Sequence, residues 1–503
     1  MSGKRHAAEG WARLVWVPPT LATLAAGLYG IGHAQPWRDE LATWSAATRP
    51  LGDLLRLTGT VDAATGPYYL LVHGWIRLFG DSATALRLPS ALAMAGAAGL
   101  TAVLGRWLLG APAGLLAGLL FAVLPGTSRY AQEARPYALA SLFAMLATLL
   151  LVAALRRPSW ARWAGYAAAV AALGLTHLLA LTLLAAHGVL VLICWWRGPA
   201  AAGLDPPPAR LAPPVAGNGR LPARWALALL PALALLAPLL LTAREQRSHQ
   251  LVWVEPARLV DLAALPAGVT QSGVVGGLLV GLAALGAARA GRRALPPGLC
   301  VLLPVLLVFV PALVVALWVP RYLVFTVPFA SLLAGAALAG TPAPAPARPV
   351  PAALAIVVLA GLLGLPDQVA LRQTHGWPTV DYRGAARIVA AGQQPGDAVV
   401  FHPRDGWLFL DLGMAYQLGA ARPRDVLVVR DQRRRADLWA TECARPAECL
   451  AEVRRVWLVV AGRRADPLAA VPGGKGDALR TGFTVSQVWQ RPGLTVALLI
   501  TRG

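Results

Sequence analysis

Asp39 and Glu40 stand side by side in PWRDELATWS (36–45), directly after the first long apolar run of the chain. Arg38 precedes them, and Asp62 follows in TVDAATGPYY. A carboxylate facing a hydroxyl can accept its proton as that oxygen attacks carbon. Three further clusters carry complementary groups. Arg87 sits in ALRLPSALA. Arg129, Tyr130, Gln132, Glu133, Arg135 and Tyr137 crowd into SRYAQEARPYAL. Arg321 and Tyr322 follow a proline in VPRYLVF, and His177 lies in LGLTHLLAL. Arginines on neighbouring helices can clamp a phosphate through paired N–H donors. A carboxylate base, a phosphate clamp and an apolar groove together suit a sugar carried on a lipid phosphate. The sequence has no Walker loop, HExxH, GxSxG or strand-to-helix GxGxxG, which disfavours nucleotide-dependent and serine-nucleophile chemistry.

Each of these residues also has a plain structural reading. Asp39 and Glu40 can pair with Arg38 or cap a helix. Asp62 can cap a helix or bind a turn amide. Glu133 can neutralise Arg129 or Arg135. A histidine on an apolar helix, such as His177, is often a satisfied structural residue.

The elements that must position these groups follow from hydropathy. The chain has 503 residues, 57% of them hydrophobic and only 14% charged, with a mean hydropathy of +0.57. Runs of 18 or more residues without charge mark a mainly α, multi-spanning membrane protein. The apolar lengths predict about eleven spans, over 13–31, 88–108, 113–128, 137–155, 162–176, 178–196, 223–243, 273–290, 297–319, 322–340 and 351–366. The stretch 162–196 reads either as one bent helix or as two spans meeting near His177. Segment 67–80 is short for a span and is expected flat in the outer interface or re-entrant. Lys4, Arg5 and Arg13 are expected to hold the N-terminus in the cytoplasm, with the first helix retained. An odd span count then places the C-terminus outside, and Arg156, Arg157, Arg197, Arg289, Arg292 and Arg293 inside. The linkers 198–222 and 341–351 fall inside as well. The net charge of +21 is scattered over short loops, so it reads as the positive-inside bias and not as a nucleic-acid surface.

Composition changes near Leu365. Residues 1–366 hold 11 of the 24 acids and residues 367–503 hold the other 13. The later part contains strand-like runs, DAVVFH, DVLVVR, RVWLVVAG, FTVSQVWQ and LTVALLI, after a helical DYRGAARIVAAG. The expected organisation is a polytopic domain over 1–366, with the acids on an outer loop at 32–87, and a small extracytoplasmic α/β domain over 367–503. Cys194 and Cys300 fall inside apolar runs and read as inert. Cys443 and Cys449 lie close together in polar sequence, and an outside location would make them a disulfide.

The ordered series WRDE, PYYLLVHGWIRLFGDSATALRLPSALA and SRYAQEARPYAL resembles the polytopic membrane glycosyltransferases of the GT-C superfamily. It is most similar to glycosyltransferase family 39, the protein O-mannosyltransferase and aminoarabinose-transferase type, often called mannosyltransferases in bacteria. The resemblance covers roughly residues 10–200 and continues loosely through VPRYLVFTVP and DYRGAARIVA. It implies a bacterial plasma-membrane enzyme that transfers a sugar, by family default mannose, from a polyprenyl-phosphate donor, with inversion at the anomeric carbon. The acceptor hydroxyl would belong to a protein, a glycolipid or a cell-wall glycan, and the reaction would lie at the outer face of the bilayer. It also implies roles: Asp39 as base beside Glu40, Arg87 on the donor phosphate, and Gln132, Glu133, Arg135 and Tyr137 at the same outer face. The residues themselves add Asp62 beside the acids, Arg135 and Arg321 on the phosphate, and Tyr130 and His177 in the substrate pocket. Where relatives carry a histidine ahead of the tyrosine pair, this chain reads ATGPYY. No metal is expected to be required, although the carboxylates are chemically compatible with a divalent cation. Two other classes share the apolar groove: a lipid-linked saccharide transporter or flippase, and a non-catalytic scaffold. A charged path through the membrane centre and two related halves would mark a transporter, and neither is visible.

Overall fold

The computed structural model describes residues 13–204, 219–250, 253–340, 350–373 and 379–502. Lys4, Arg5 and most of the two linkers expected inside lie outside these. The chain forms two compact units. One comprises the residues up to Tyr29, Ala63–Tyr68 and Arg87–Ala370; the other comprises Gly30–Asp62, Tyr69–Leu86 and the residues from Leu371.

The first unit is helical. Among the described residues six helices are long and apolar enough to cross a membrane, or seven when one bent pair counts as a single span, and not the expected eleven. They are Ala83–Leu109, Tyr137–Arg156, Leu178–Arg197, Leu221–Ser248, Gly273–Ala312 and Pro320–Ala339. The physical reason is length. The first apolar run folds as a helix of only 12 residues, Val17–Leu28, and the run before residue 366 as one of 14, Val350–Leu363. At 1.5 Å per residue neither reaches the ~30 Å of a hydrocarbon core. The two runs expected between 273 and 319 fall in one 40-residue helical stretch with a 3-10 turn at Gly291–Ala294. Segment 67–80 forms the helix Gly66–Phe79, of 14 residues.

Helices approach closely where small residues meet. A Cβ on Gly286 would lie 1.8 Å from the Leu333 carbonyl oxygen, so only glycine allows the Gly273–Ala290 helix against Val327–Ala339. The Leu221–Ser248 helix, by contrast, is mostly exposed apolar surface, as expected of a lipid-facing element.

The second unit contains a five-stranded sheet: β1 (Ala398–His402), β2 (Arg424–Asp425), β5 (Arg455–Ala461), β6 (Phe483–Arg491) and β7 (Leu494–Thr501), in the order β2-β1-β5-β7-β6. β1 runs parallel to β2 and β5, while β7 is antiparallel to β5 and β6. A small ribbon pairs β3 (Val428–Arg430) with β4 (Thr441–Glu442). Val400, Val456, Leu458, Leu479 and Leu499 are among the residues at the centre of its core. The strand-like runs and the Tyr382–Gly392 helix fall where the sequence predicts an α/β fold. Cys443 and Cys449 are disulfide-bonded.

Beside this core, Arg404 is 6% exposed and bonds three carboxylates. The distances are 2.8 Å to Asp425, 2.9 Å to Glu442 and 3.3 Å to Asp411. Burial alone would lower the Arg404 pKa; Asp425, Asp411 and Glu442 outweigh it and raise it. Gln432 Nε2 donates to the same Asp411 at 2.6 Å, and Lys475 meets Glu442 at 2.6 Å.

Candidate active site

The carboxylates lie in the second unit. Arg38–Ala47 is a helix with both acids in its first turn. They have different environments. Glu40 is 1% exposed and accepts the Trp37 backbone N–H at 3.3 Å, so it satisfies an orphan donor at the helix start. The Asp39 side chain is 17% exposed and stands 3.6 Å from Arg38 Nε. Asp62 takes a left-handed φ of +57°, a conformation that aspartate tolerates better than most residues, and accepts the Tyr69 hydroxyl at 2.6 Å. On the same helix as Asp39, Trp44 Nε1 donates to Asp81 at 2.9 Å, and Tyr416 meets the indole edge-on at 5.3 Å.

The basic and aromatic candidates lie in the first unit. Leu124 precedes a proline and is held extended (ψ 133°), so the Ala111–Val123 helix stops and Pro125–Ala131 restarts at 67° to it. This is the bent pair. Gly126 lets the restart press against the Val269 carbonyl, 2.2 Å from where a Cβ would stand. Pro136 then opens the Tyr137–Arg156 helix. A second break falls at His177. Thr176 Oγ1 donates back to the Ala172 and Leu173 carbonyls, and His177 is extended between Trp160–Thr176 and a 3-10 turn at Leu178–Thr182. The stretch 162–196 is therefore two segments meeting at His177.

The two breaks and the 3-10 segment Pro320–Thr326 bring five of the residues singled out in the sequence together. Arg321 Nε donates to the Tyr137 hydroxyl at 3.1 Å. Tyr137 lies 5.7 Å from Tyr130 and 5.8 Å from His177, ring to ring, and His177 meets Tyr322 at 5.3 Å. The Arg321 guanidinium lies 5.4 Å from the Trp253 ring and 5.8 Å from Tyr322, within cation–π range. Among the described residues His177 Nδ1 is buried without a hydrogen-bond partner.

The other expected residues of this unit make contacts of their own. Gln132 Nε2 donates to the Gly27 and Tyr29 carbonyls at 3.0 and 2.7 Å and so closes the C-terminus of the Val17–Leu28 helix. Glu133, 1% exposed, pairs with Arg129 at 3.4 Å. The Arg135 carbonyl accepts the Ser90 hydroxyl at 3.3 Å. Arg87 is 3% exposed on the Ala83–Leu109 helix. Among the described residues no group of three or more His, Cys, Asp or Glu side chains is arranged to hold a metal ion.

Trp253 and Gln271 were not legible as site residues. Gln271 has a left-handed φ of +57° and reaches the Tyr130 hydroxyl at 3.5 Å. Neither residue sits in a motif; only the fold brings them to the cluster.

Residues 67–199 match the family described as dolichyl-phosphate-mannose-protein mannosyltransferase. No protein of curated function matches the chain. The fold is similar to crystal structures of ArnT from Cupriavidus metallidurans, one without ligand and one bound to undecaprenyl phosphate. In each case the TM-score is 0.60 at 15% identity, over 98% of both chains. The chain has the GT-C fold. The arabinofuranosyltransferase AftD from Mycobacteria is also similar, with a TM-score of 0.49 and 17% identity, over 98% of this chain and 40% of that one. Within the GT-C fold of this chain, the family match spans Arg87, the SRYAQEARPYAL cluster and His177.

Proposed function

We propose that the protein is a membrane glycosyltransferase that moves a sugar, by resemblance mannose, from a polyprenyl-phosphate donor to an acceptor hydroxyl. The observation that carries this reading is a GT-C fold over the whole chain with a basic aromatic cluster at its two helix breaks. Charged and polar groups at membrane depth are expensive and usually functional. Arg321 is held by Tyr137 and two aromatic faces, which suits it to hold a phosphate with little reorganisation. Arg87 and Arg135 are its proposed partners on the donor phosphate. His177 and Tyr130 are proposed to bond the donor sugar.

Asp39 is the proposed base, because Glu40 is already occupied as a helix cap. The acceptor oxygen attacks the anomeric carbon and gives its proton to Asp39. The bond from that carbon to the phosphate oxygen breaks, and polyprenyl phosphate leaves with the electron pair. Attack opposite the leaving group inverts the anomeric centre. The enzyme is proposed to work at the outer face of a bacterial plasma membrane, with residues 367–503 as an extracytoplasmic domain. The acceptor is a protein, glycolipid or cell-wall glycan.

The test is transfer from polyprenyl-phosphate-mannose to deletion-strain membranes. Asp39→Asn is expected to lose about 100-fold or more in kcat, the range of a lost general base. Transfer at the wild-type rate would remove Asp39 from the mechanism.

A further inference from the structure

The helix that bears Asp39 is gripped at both ends by buried side chains. At its start Gln35 is 1% exposed. Its amide oxygen accepts the Arg383 backbone N–H at 2.8 Å, and its amide nitrogen donates to the Val380 carbonyl. Both partners flank the start of the Tyr382–Gly392 helix. At the other end Arg49 is 2% exposed. Its guanidinium donates to the Ser45 carbonyl at 3.0 Å and to the Asp437 and Gln432 carbonyls at 2.7 and 3.4 Å. Gln432 is itself tied to Asp411 in the buried Arg404 network.

These contacts are not what packing alone requires. A buried guanidinium whose close partners are carbonyls is costly to desolvate, and an apolar side chain would fill the same space more cheaply. Burial lowers the pKa of Arg49, with Tyr69, Asp53 and Asp437 working against it. What the two side chains supply is direction. Each bonds backbone groups in the C-terminal sequence, so the angle and register of the helix follow that backbone. An exposed link nearby, Arg433 to Asp53 at 3.2 Å with Arg433 57% exposed, has no such grip.

We propose that Gln35 and Arg49 are positioning residues for Asp39, so that the C-terminal α/β fold sets the geometry of the base. This rests on Asp39 being the base. A displacement of about 1 Å in a reacting group can cost on the order of 100-fold in rate.

The experiment uses the full chain, polyprenyl-phosphate-mannose as donor, and deletion-strain membranes as acceptor. Gln35→Ala and Arg49→Ala are expected to lower kcat by about 10- to 100-fold with donor KM within about twofold. Hydrogen exchange in the Arg38–Ala47 helix should speed by about tenfold or more, and exchange in Tyr137–Arg156 should not change. Arg49→Lys should retain more activity than Arg49→Ala, and Arg433→Ala should match wild type in both readouts. The inference is overturned if Gln35→Ala and Arg49→Ala keep wild-type kcat. It is equally overturned if kcat falls without faster exchange at 38–47, or if donor KM alone changes. Should Arg49→Ala not fold, Gln35→Ala and Arg49→Lys decide. Wild-type transfer by Asp39→Asn would sink the base reading separately, while exchange would still report the grip.

Discussion

Two neighbouring carboxylates, Asp39 and Glu40, meet different surroundings because a helix turns about 100° per residue. One step along the first turn takes the side chain from 17% exposed to buried against the helix start. Glu40→Ala should therefore act on stability. The expected loss is about 1 kcal/mol, the value of a helix cap, seen as faster exchange at Arg38–Ala47. Donor KM should be unchanged. Arg321→Lys should act on the donor instead. Lysine keeps the charge but loses the planar fork and the hydrogen bond from Nε to Tyr137. Donor KM is expected to rise about tenfold, and an unchanged KM would remove Arg321 from the phosphate site. A third effect depends on pH. Burial and Lys475 lower the pKa of His402, so the folded state resists its protonation. The stability this provides is complete above the unfolded pKa of about 6.5 and is lost as pH falls toward the folded value. The protection factor of the β1 amides, with intrinsic rates divided out, should fall between about pH 7 and 5, and His402→Asn should flatten that response.

The elements that bring the aromatic and basic side chains together are the irregular ones. Both breaks in the helical unit, at Leu124 and His177, lie within runs that hydropathy reads as continuous or nearly so. The first is legible afterwards from Pro125; the second was one of two readings of 162–196, and Thr176 bonding back to its own helix accompanies it. The strands of the α/β fold were readable because their residues alternate or run apolar between turn signals. The span count was not. Apolar length counts residues, and it cannot tell a helix of 12 from a crossing when glycines and prolines cut the run. Nor does local sequence reveal that Gln35 and Arg49 bond backbone more than 340 residues away. The disulfide belongs to this scale too. It closes a short loop across Cys443 and Cys449, six residues apart, and Cys443→Ser with Cys449→Ser should cost about 2 kcal/mol, from the chain-entropy relation. Exchange in the Gly473–Gly482 helix, which packs beside the loop, is the place to read it.

At the scale of the molecule, the two units are not consecutive in sequence. Residues 30–62 and 69–86 share a unit with the residues from Leu371. The proposed base therefore belongs to the α/β unit, and the proposed phosphate-binding arginines belong to the helical one. If the α/β unit is extracytoplasmic, a membrane-impermeant thiol reagent should label Cys443 and Cys449 in intact cells once they are reduced. Labelling only after lysis would reverse the proposed orientation.

Gln132 adds a constraint on synthesis. The Val17–Leu28 helix ends in carbonyls that Gln132 bonds from 103 and 105 residues farther along the chain. A ribosome makes that helix well before its cap exists. Until the bent pair has been made, those carbonyls lack these two bonds. The Val17–Leu28 helix is therefore made before the contacts that complete its end.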